Sequence, residues 1–255
     1  MANQVQNVLY IKTQTNKELK DFLTAIKSNK EVIDFNSIVP MPISIKNTEE
    51  GSKSNNALGY YLTLQNQLDK VKEFCPFFNM EQCLQQYNKD ELLQIGETLY
   101  NNFCNYNAFT WYDWSHKNWG TKWNAYHTEL SETTDTSASI YFTTNYTSVE
   151  KLISKLVELY PNIEFTYKSA SDEIACGCVL GEMIDDDFII SYLTPQSNDA
   201  LELYAEVWGL DNELFYLDDN EEWHYSDWEE EEIDEDLDDE LEEDTRDFII
   251  IKKVD

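Results

Sequence analysis

Residues 139–167, SIYFTTNYTSVEKLISKLVELYPNIEFTY, place a strand pattern, a helix pattern and a second strand pattern in succession. Ile140 and Phe142 alternate with Tyr141 and Thr143, which is the period of a half-buried strand. Thr147 and Glu150 have the spacing of a capping box, and apolar residues then recur at helical spacing up to Pro161. These apolar residues are Val149, Leu152, Ile153, Leu156, Val157 and Tyr160. The stretch predicts a β-α-β unit whose second strand is residues 163–167.

The N-terminal region repeats this pattern. Residues 7–12 read as a strand, and Thr15 and Glu18 have capping-box spacing before an apolar helical face. Residues 32–39 read as the next strand, which prolines 40 and 42 end. Two β-α-β units predict an α+β fold with a ferredoxin-like split β-α-β antiparallel sheet. Both helices are expected on one face of that sheet, since each has a single apolar stripe to bury.

The rest of the chain adds elements around these units. Residues 51–108 are predicted as a helical insertion, with helices at 58–74 and 90–103 and a third at 80–87. Strands are predicted at 174–181 and 188–193 on either side of an aspartate turn at 185–187. A short helix at 199–208 ends at Gly209. The predicted domain is residues 1–210, followed by an acidic extension, 211–255, that ends in the strand-like residues 248–251.

The charge of the chain limits what it can bind. It has 18 basic and 50 acidic residues, a formal net charge of −32. Residues 211–255 alone hold 22 acidic and 3 basic residues, a net of −19. Such a chain repels phosphates, which disfavours direct binding to DNA or RNA and favours basic protein partners.

The sequence predicts a cytoplasmic protein with no membrane association. No stretch approaches the roughly 18 apolar residues that span a bilayer. The first residues, MANQVQN, lack the basic and apolar regions of a signal peptide. The five cysteines are therefore expected to be reduced, mostly buried thiols.

A tryptophan-rich motif carries a family resemblance. The stretches are residues 34–42 (DFNSIVPMP), 111–114 (WYDW) and 118–126 (NWGTKWNAY). Together they resemble the phage- and plasmid-borne family of YubB- or Api92-like proteins over most of residues 1–210. The resemblance implies a ferredoxin-like fold and a mobile-element origin, and it carries no catalytic residues. We interpret the motif as structural rather than as a stacking platform for a ligand; its residues are Trp111, Trp114, Trp119, Gly120, Thr121, Lys122, Trp123 and Asn124.

No catalytic, cofactor or metal site is predicted. The sequence contains no GxSxG, HExxH or P-loop motif, and no CxxC pair or closely spaced histidine pair. Cys176 and Cys178 form a CxC pair, which we interpret as two structural thiols on one face of a strand.

The acidic segment, residues 218–244, is the strongest functional candidate. It holds 18 acidic residues in 27 and no lysine or arginine. A helix of this length spans roughly 40 Å, which gives about one charge per 2.2 Å against about 1.7 Å in duplex DNA. Ile233, Leu237 and Leu241 would form its narrow apolar seam. The predicted partner-binding residues are Glu229, Glu230, Glu231, Glu232, Asp234, Glu235, Asp236, Asp238, Asp239, Glu240, Glu242, Glu243 and Asp244.

Three functional hypotheses follow. In the first, a non-enzymatic phage-type accessory protein uses the acidic segment to block a basic, nucleic-acid-binding host defence protein. In the second, the helical insertion makes the chain a structural or assembly adaptor. In the third, the tryptophan-rich region forms the cleft of an enzyme or a ligand-binding protein. A solvated acidic loop is the simplest alternative for the segment itself, and the oligomeric state is left open.

Overall fold

The computed structural model describes residues 3–131, 133–185, 187–209, 215–218, 223–225 and 247–251. The chain divides into two compact units, unit 1 (Met1–Ile38 and Trp123–Asp255) and unit 2 (Val39–Lys122). The strands, all in unit 1, are β1 (Gln4–Lys12), β2 (Tyr126–Ser131), β3 (Ser137–Asn145), β4 (Glu164–Ser171), β5 (Val179–Ile184), β6 (Asp187–Tyr192), β7 (Phe215–Leu217), β8 (Trp223–Tyr225) and β9 (Asp247–Ile251). The helices of unit 1 are α1 (Asn16–Ile26), α2 (Phe35–Ile38), α9 (Glu150–Leu159) and α10 (Asn198–Trp208).

One antiparallel sheet organises unit 1. Within the described residues it has seven strands in the order β2-β3-β1-β4-β5-β6-β9. β1 lies in the middle of the first four, with Leu9 opposite Ile140 of β3 and Tyr167 of β4. The α+β class with an antiparallel sheet is confirmed. The prediction that residues 248–251 pair as a strand is also confirmed, since β9 is hydrogen-bonded to β6.

The helices of unit 1 cover both faces of this sheet. On α1, Phe22 packs against Phe165 of β4 with ring centroids 5.5 Å apart. Tyr167, two residues along β4 and so on the same face, accepts a hydrogen bond from the Val149 backbone at the start of α9 (3.0 Å). α1 and α9 therefore share one face. α10 lies on the other, where Leu203 belongs to the same buried cluster as Val8 of β1.

A buried polar network ties the central strands together. The Asn7 amide donates to the hydroxyl of Thr144 on β3 (3.0 Å), and its oxygen accepts from the Tyr167 hydroxyl on β4 (2.6 Å). Asn7, Thr144 and Tyr167 are each fully buried. Burial, as the largest cause, and the nearby Glu150 carboxylate raise the pKa of Tyr167, so its hydroxyl stays a donor. A slip of β1 by one residue would break every one of these bonds.

Residues 32–39 were predicted to be a strand, and this prediction is wrong. Only residues 35–38 are regular, and they form the short helix α2. The Asp34 side chain accepts from the Asn36 backbone (3.0 Å), and its carbonyl accepts from Ser37 (2.9 Å), which turns the chain into the helix. The strand that pairs beside β3 is instead β2, which follows unit 2 in the sequence.

Two further local predictions in unit 1 are corrected. α9 begins at Glu150 with Val149 as its N-cap, so Thr147 does not cap it. Residues 174–178, predicted as the start of a strand, form a loop with Ala175 and Gly177 at positive φ. Cys176 and Cys178 therefore lie in a loop before β5 rather than on one face of a strand.

Unit 2 is helical. Its helices are α3 (Ile43–Lys46), α4 (Ser52–Leu64), α5 (Leu68–Phe74), α6 (Met80–Gln86), α7 (Lys89–Tyr106) and α8 (Trp111–Asn118). The predicted limits of the insertion, 51 and 108, fall inside this unit. α4 and α7 approach closely at Gly96, where a Cβ would lie 2.2 Å from the Ala57 carbonyl oxygen. None of the helices in the described residues is both long and apolar enough to span a membrane.

Residues 58–74, predicted as one helix, form parts of α4 and α5. The helix stops at Leu64, and Asn66 adopts a positive φ of 56° before α5 begins. Asparagine tolerates this left-handed conformation better than most residues, so it allows the chain to reverse here.

Removal of β9 tests its contribution to the sheet. Truncation after Asp244 is expected to lower Tm by several degrees, because β6 loses its five-residue partner and about 1 kcal/mol corresponds to roughly 2–4 °C in a chain of this size. Thermal unfolding followed by circular dichroism measures this. Truncation after Ile251, which keeps β9, is the control and should leave Tm unchanged. An equal Tm for both truncated chains would show that β9 contributes nothing to stability.

Candidate functional site

The acidic segment, residues 218–244, begins directly after β7 and ends before β9 in the sequence. All thirteen predicted partner-binding residues, from Glu229 to Asp244, lie outside the described residues, as does the predicted apolar seam. Of the segment itself the structure describes Asp218 and β8. The candidate site is therefore built from its two ends.

The first end is the hairpin of β7 and β8. The two strands pair antiparallel, with Phe215 opposite Tyr225. Phe215 is 1% exposed, and its ring centroid lies 5.6 Å from that of Tyr204 on α10. The Trp223 backbone donates to the side-chain oxygen of Asn198, the first residue of α10 (2.5 Å). The hairpin is thus fixed to α10 by a buried ring and by a hydrogen bond.

The second end is β9. Its pairing with β6 runs from Asp247 opposite Tyr192 to Ile251 opposite Phe188. Between β8 and β9 lie residues 226–246, which contain 14 acidic residues and one basic residue. This stretch therefore joins two strands that are both paired within unit 1. Sequence analysis predicted the second end and missed the first, although the short apolar alternations at 215–217 and 223–225 were a signal for it.

Polar contacts attach α10, which packs against the β7–β8 hairpin, to the sheet. Glu206 of α10 accepts from the Tyr10 hydroxyl (2.7 Å) and from Lys168 (2.6 Å), both on the sheet. Burial, followed by the hydrogen bond to Glu206, raises the pKa of Tyr10, which therefore stays protonated. At the hairpin, His224 lies 3.2 Å from the Asp218 carboxylate.

The tryptophan-rich motif begins in unit 2, on α8. A reciprocal capping box between Thr110 and Asp113 starts this helix. Trp114 and Trp119 are 5% and 6% exposed and meet edge to face at 5.4 Å. The Trp119 indole donates to the Val39 carbonyl (3.0 Å), so its polar atom is also satisfied inside unit 2.

Lys122 packs against two aromatic rings of α8, those of Trp111 and Tyr112. Lys122 places its ammonium 5.8 Å from the centre of the Trp111 ring and 5.6 Å from that of Tyr112, which are cation–π distances. Gly120 has a positive φ of 86°, and Thr121 is fully buried. These contacts hold the 119–122 turn against the helix that precedes it.

The last two motif residues belong to unit 1. Trp123 is 43% exposed. Asn124 accepts hydrogen bonds from the Phe35 and Ala125 backbones (2.9 and 3.0 Å) and donates to the Asp34 carboxylate (2.7 Å). It therefore links the 34–35 turn, where the strand prediction was wrong, to the chain that enters β2.

The thiols of Cys75 and Cys178 are buried, and this lowers their reactivity. Burial raises the pKa of Cys75 to about 11 and that of Cys178 to about 12, which makes both poor nucleophiles at neutral pH. Among the residues that the structure describes, no three histidine, cysteine or acidic side chains are grouped as metal ligands. A surface cavity of about 280 Å³ in unit 2 is lined by the Lys53–Glu91 ion pair together with Glu49 and Thr98. Of its three charged side chains, Lys53 and Glu91 pair at 2.5 Å, and the Glu49 carboxylate adds a negative charge.

The role of Asn124 can be measured. Asn124→Ala is expected to lower the free energy of unfolding by about 2–3 kcal/mol, because it leaves two backbone donors and one carboxylate without this partner. Asn118→Ala is the matched control, since its amide donates only within α8, to the Trp114 carbonyl, and its cost should stay below about 1 kcal/mol. Denaturant unfolding compares the two variants, and equal losses would contradict a special role for Asn124.

The raised thiol pKa values predict a pH effect. Because the pKa of Cys75 and Cys178 is higher in the folded chain than the ordinary 9.0, their protonated forms favour folding below pH 9. Stability should fall as pH rises from 9 through about 11 and 12. Cys75→Ala with Cys178→Ala should flatten that part of the profile relative to Cys104→Ala, whose thiol is exposed. Identical alkaline profiles for the two variants would contradict this origin.

No family model and no curated protein matches the sequence. Among solved structures, the chain is similar to protein api92 from Yersinia pseudotuberculosis, of the family model DUF1281. The match covers 71% of this chain and 94% of that chain, with 11% sequence identity and a TM-score of 0.36. The tryptophan-rich motif pointed to Api92-like proteins, and the structural similarity to one of them is distant. At this distance only the chain's own residues bear on its function.

Proposed function

We propose that this chain is a non-enzymatic accessory protein that binds a basic, nucleic-acid-binding protein through its acidic segment and blocks it. The proposal is carried by one observation: strands paired within unit 1 flank residues 226–246, so the stretch is held at both ends. A free acidic tail would lose much more conformational freedom on binding than a segment held in this way.

Charge supports the choice of partner. Residues 226–246 carry a net −13, from 14 acidic residues and one arginine. Over the whole acidic segment, the charge spacing of a helix is close to that of duplex DNA. A protein surface that recognises phosphates by lysine and arginine would meet carboxylates at comparable spacing here. Mimicry of DNA follows from this comparison and needs no catalytic group.

The finer parts of the proposal concern origin and fold. We include in it a ferredoxin-like arrangement of β2-β3-β1-β4 with α1 and α9, which the strand order supports. We also include the mobile-element origin that the tryptophan-rich motif implies, and a cytoplasmic place of action. Together these make a host defence nuclease, such as a CRISPR effector or a restriction enzyme, the proposed target.

Salt and charge neutralisation test the mechanism. Basic proteins are captured on the full chain from a bacterial lysate, and duplex DNA is then added as competitor. We expect DNA to release the nucleic-acid-binding partner and association to slow steeply with salt, because screening shortens from about 8 Å at physiological ionic strength to about 3 Å at 1 M. Replacement by the corresponding amides at Glu229, Glu230, Glu231, Glu232, Asp234, Glu235 and Asp236 should slow association without loss of Tm.

A matched pair of triple variants gives the control. In the first variant, glutamine replaces Glu230, Glu231 and Glu232, which removes three charges from the acidic segment. In the second, glutamine replaces Glu97, Glu129 and Glu202, which removes three exposed charges elsewhere. Only the first triple should slow association. Partners that DNA does not displace, and whose kinetics are equal in both triples, would contradict mimicry by the acidic segment.

A second candidate, an assembly adaptor that acts through unit 2, is favoured by the distribution of charge. Residues 39–122 hold 7 basic and 9 acidic residues, a net of −2, whereas the remainder of the chain has −30. A partner bound there would respond weakly to salt and to both triple variants. The same measurements therefore separate the two candidates.

A further inference from the structure

A tight turn in unit 2 directs the side chain of Phe77 into solvent and that of Phe78 toward the interior of the unit. The Phe78 backbone donates to the Cys75 carbonyl (2.9 Å), which closes a turn with Pro76 and Phe77 at its two central positions. Proline at the first of these positions fixes the backbone in advance. Phe78 turns inward onto Gly59, where a Cβ would lie 2.5 Å from the Phe78 ring. Phe77 is left 98% exposed. It is an apolar side chain on a backbone that cannot easily withdraw it.

A cavity opens beside this side chain. Its volume is about 340 Å³, and its lining includes Phe77 itself, together with Phe74, Cys75, Pro76 and Phe78. The polar lining residues, Ser52, Asn55 and Asn56, carry no charge. An apolar cavity of about 150 Å³ already accepts benzene, so this one has room for a phenylalanine side chain. The helix on this side, α5, has no buried residue, and Leu68 at its start is 53% exposed.

The exposed Phe77 side chain, which we call the knob, and the cavity lie side by side on one surface of unit 2. In a twofold-symmetric pair, the same patch of both copies meets, and each feature of one copy contacts its complement on the other. A projecting Phe77 next to a cavity of sufficient size satisfies this requirement twice. A second copy of the chain carries both complements by construction.

Electrostatics also selects this surface for contact between two copies. Each copy carries −32 in total, so most approaches of one copy to another are repulsive. Unit 2 has a net of only −2, and the residues of the turn, 75–79, carry no charge. Repulsion between copies is therefore weakest where the apolar groups are exposed.

We propose that the chain forms a symmetric homodimer through unit 2, with Phe77 of each copy seated in the cavity of the other. This proposal is independent of the acidic segment. It predicts the opposite response to salt: screening of the like charges strengthens the dimer, whereas it weakens binding of a basic protein. The failure of one proposal can thus be distinguished from the failure of the other.

Sedimentation equilibrium of the full chain, over a wide range of concentration and at low and high salt, tests the dimer. We expect a monomer–dimer equilibrium that shifts toward dimer as salt rises. Phe77→Ser should raise the dimer dissociation constant at least about tenfold, as expected for a central aromatic anchor. Asn55→Trp, which fills the cavity from an exposed position, should weaken the dimer while it keeps the knob.

Ile43→Ser is the matched control, because Ile43 is an apolar side chain of unit 2 that is 71% exposed and does not line the cavity. It should leave the dissociation constant unchanged. Circular dichroism shows whether each variant remains folded. A monomer at every concentration and salt, or a dimer that Phe77→Ser and Asn55→Trp leave intact, would overturn the proposal. A monomer that loses a different protein partner on Phe77→Ser would overturn it in favour of a heterologous contact.

Discussion

The hydrogen bonds of Asn7 inside the sheet set the register on which unit 1 depends. A buried amide at the middle of β1 is costly unless all its polar atoms are paired. Thr144 on one neighbouring strand and Tyr167 on the other supply partners at 3.0 and 2.6 Å. Tyr167 also receives the backbone N–H of Val149, so the start of α9 is fixed by the same group. Strand order, register and helix position are thus coupled through one buried side chain.

From this core the sheet continues to the edge that carries β9. β4 continues into β5 and β6, and β9 adds to β6 after the acidic stretch. The apolar face of α10 holds the β7–β8 hairpin at the other end of that stretch. Between these two described ends the sequence places 14 acidic residues, at 226–246. In the proposed function these carboxylates contact the partner, and the paired strands on either side anchor them.

The sequence predicts elements well where periodicity is strong and local. The central strands β1 and β3 and the helix α9 have clear apolar patterns, and Gly209 correctly marks the end of α10 through its positive φ of 60°. Prediction fails where a side chain makes a local backbone bond. Asp34 turns residues 35–38 into a helix, although residues 32–39 before the prolines were predicted as a strand, and Asn66 divides a long helical pattern in two. β2 was missed because half of its residues are exposed, which leaves it without the apolar alternation of a half-buried strand. The ends of the acidic segment were partly predictable, whereas the exposure of Phe77 depends on a turn that only the structure reveals.

The position of β9 also has a consequence for biosynthesis. As the chain leaves the ribosome, β6 emerges long before its outer partner, and its unpaired edge is a template for association with other nascent chains. The residues made in the interval, 193–246, include the stretch 226–246, which alone carries a net −13. Like charges beside an open strand edge act as gatekeepers against aggregation. We therefore expect the same carboxylates that we propose to bind a partner to oppose such association until β9 is made and pairs with β6.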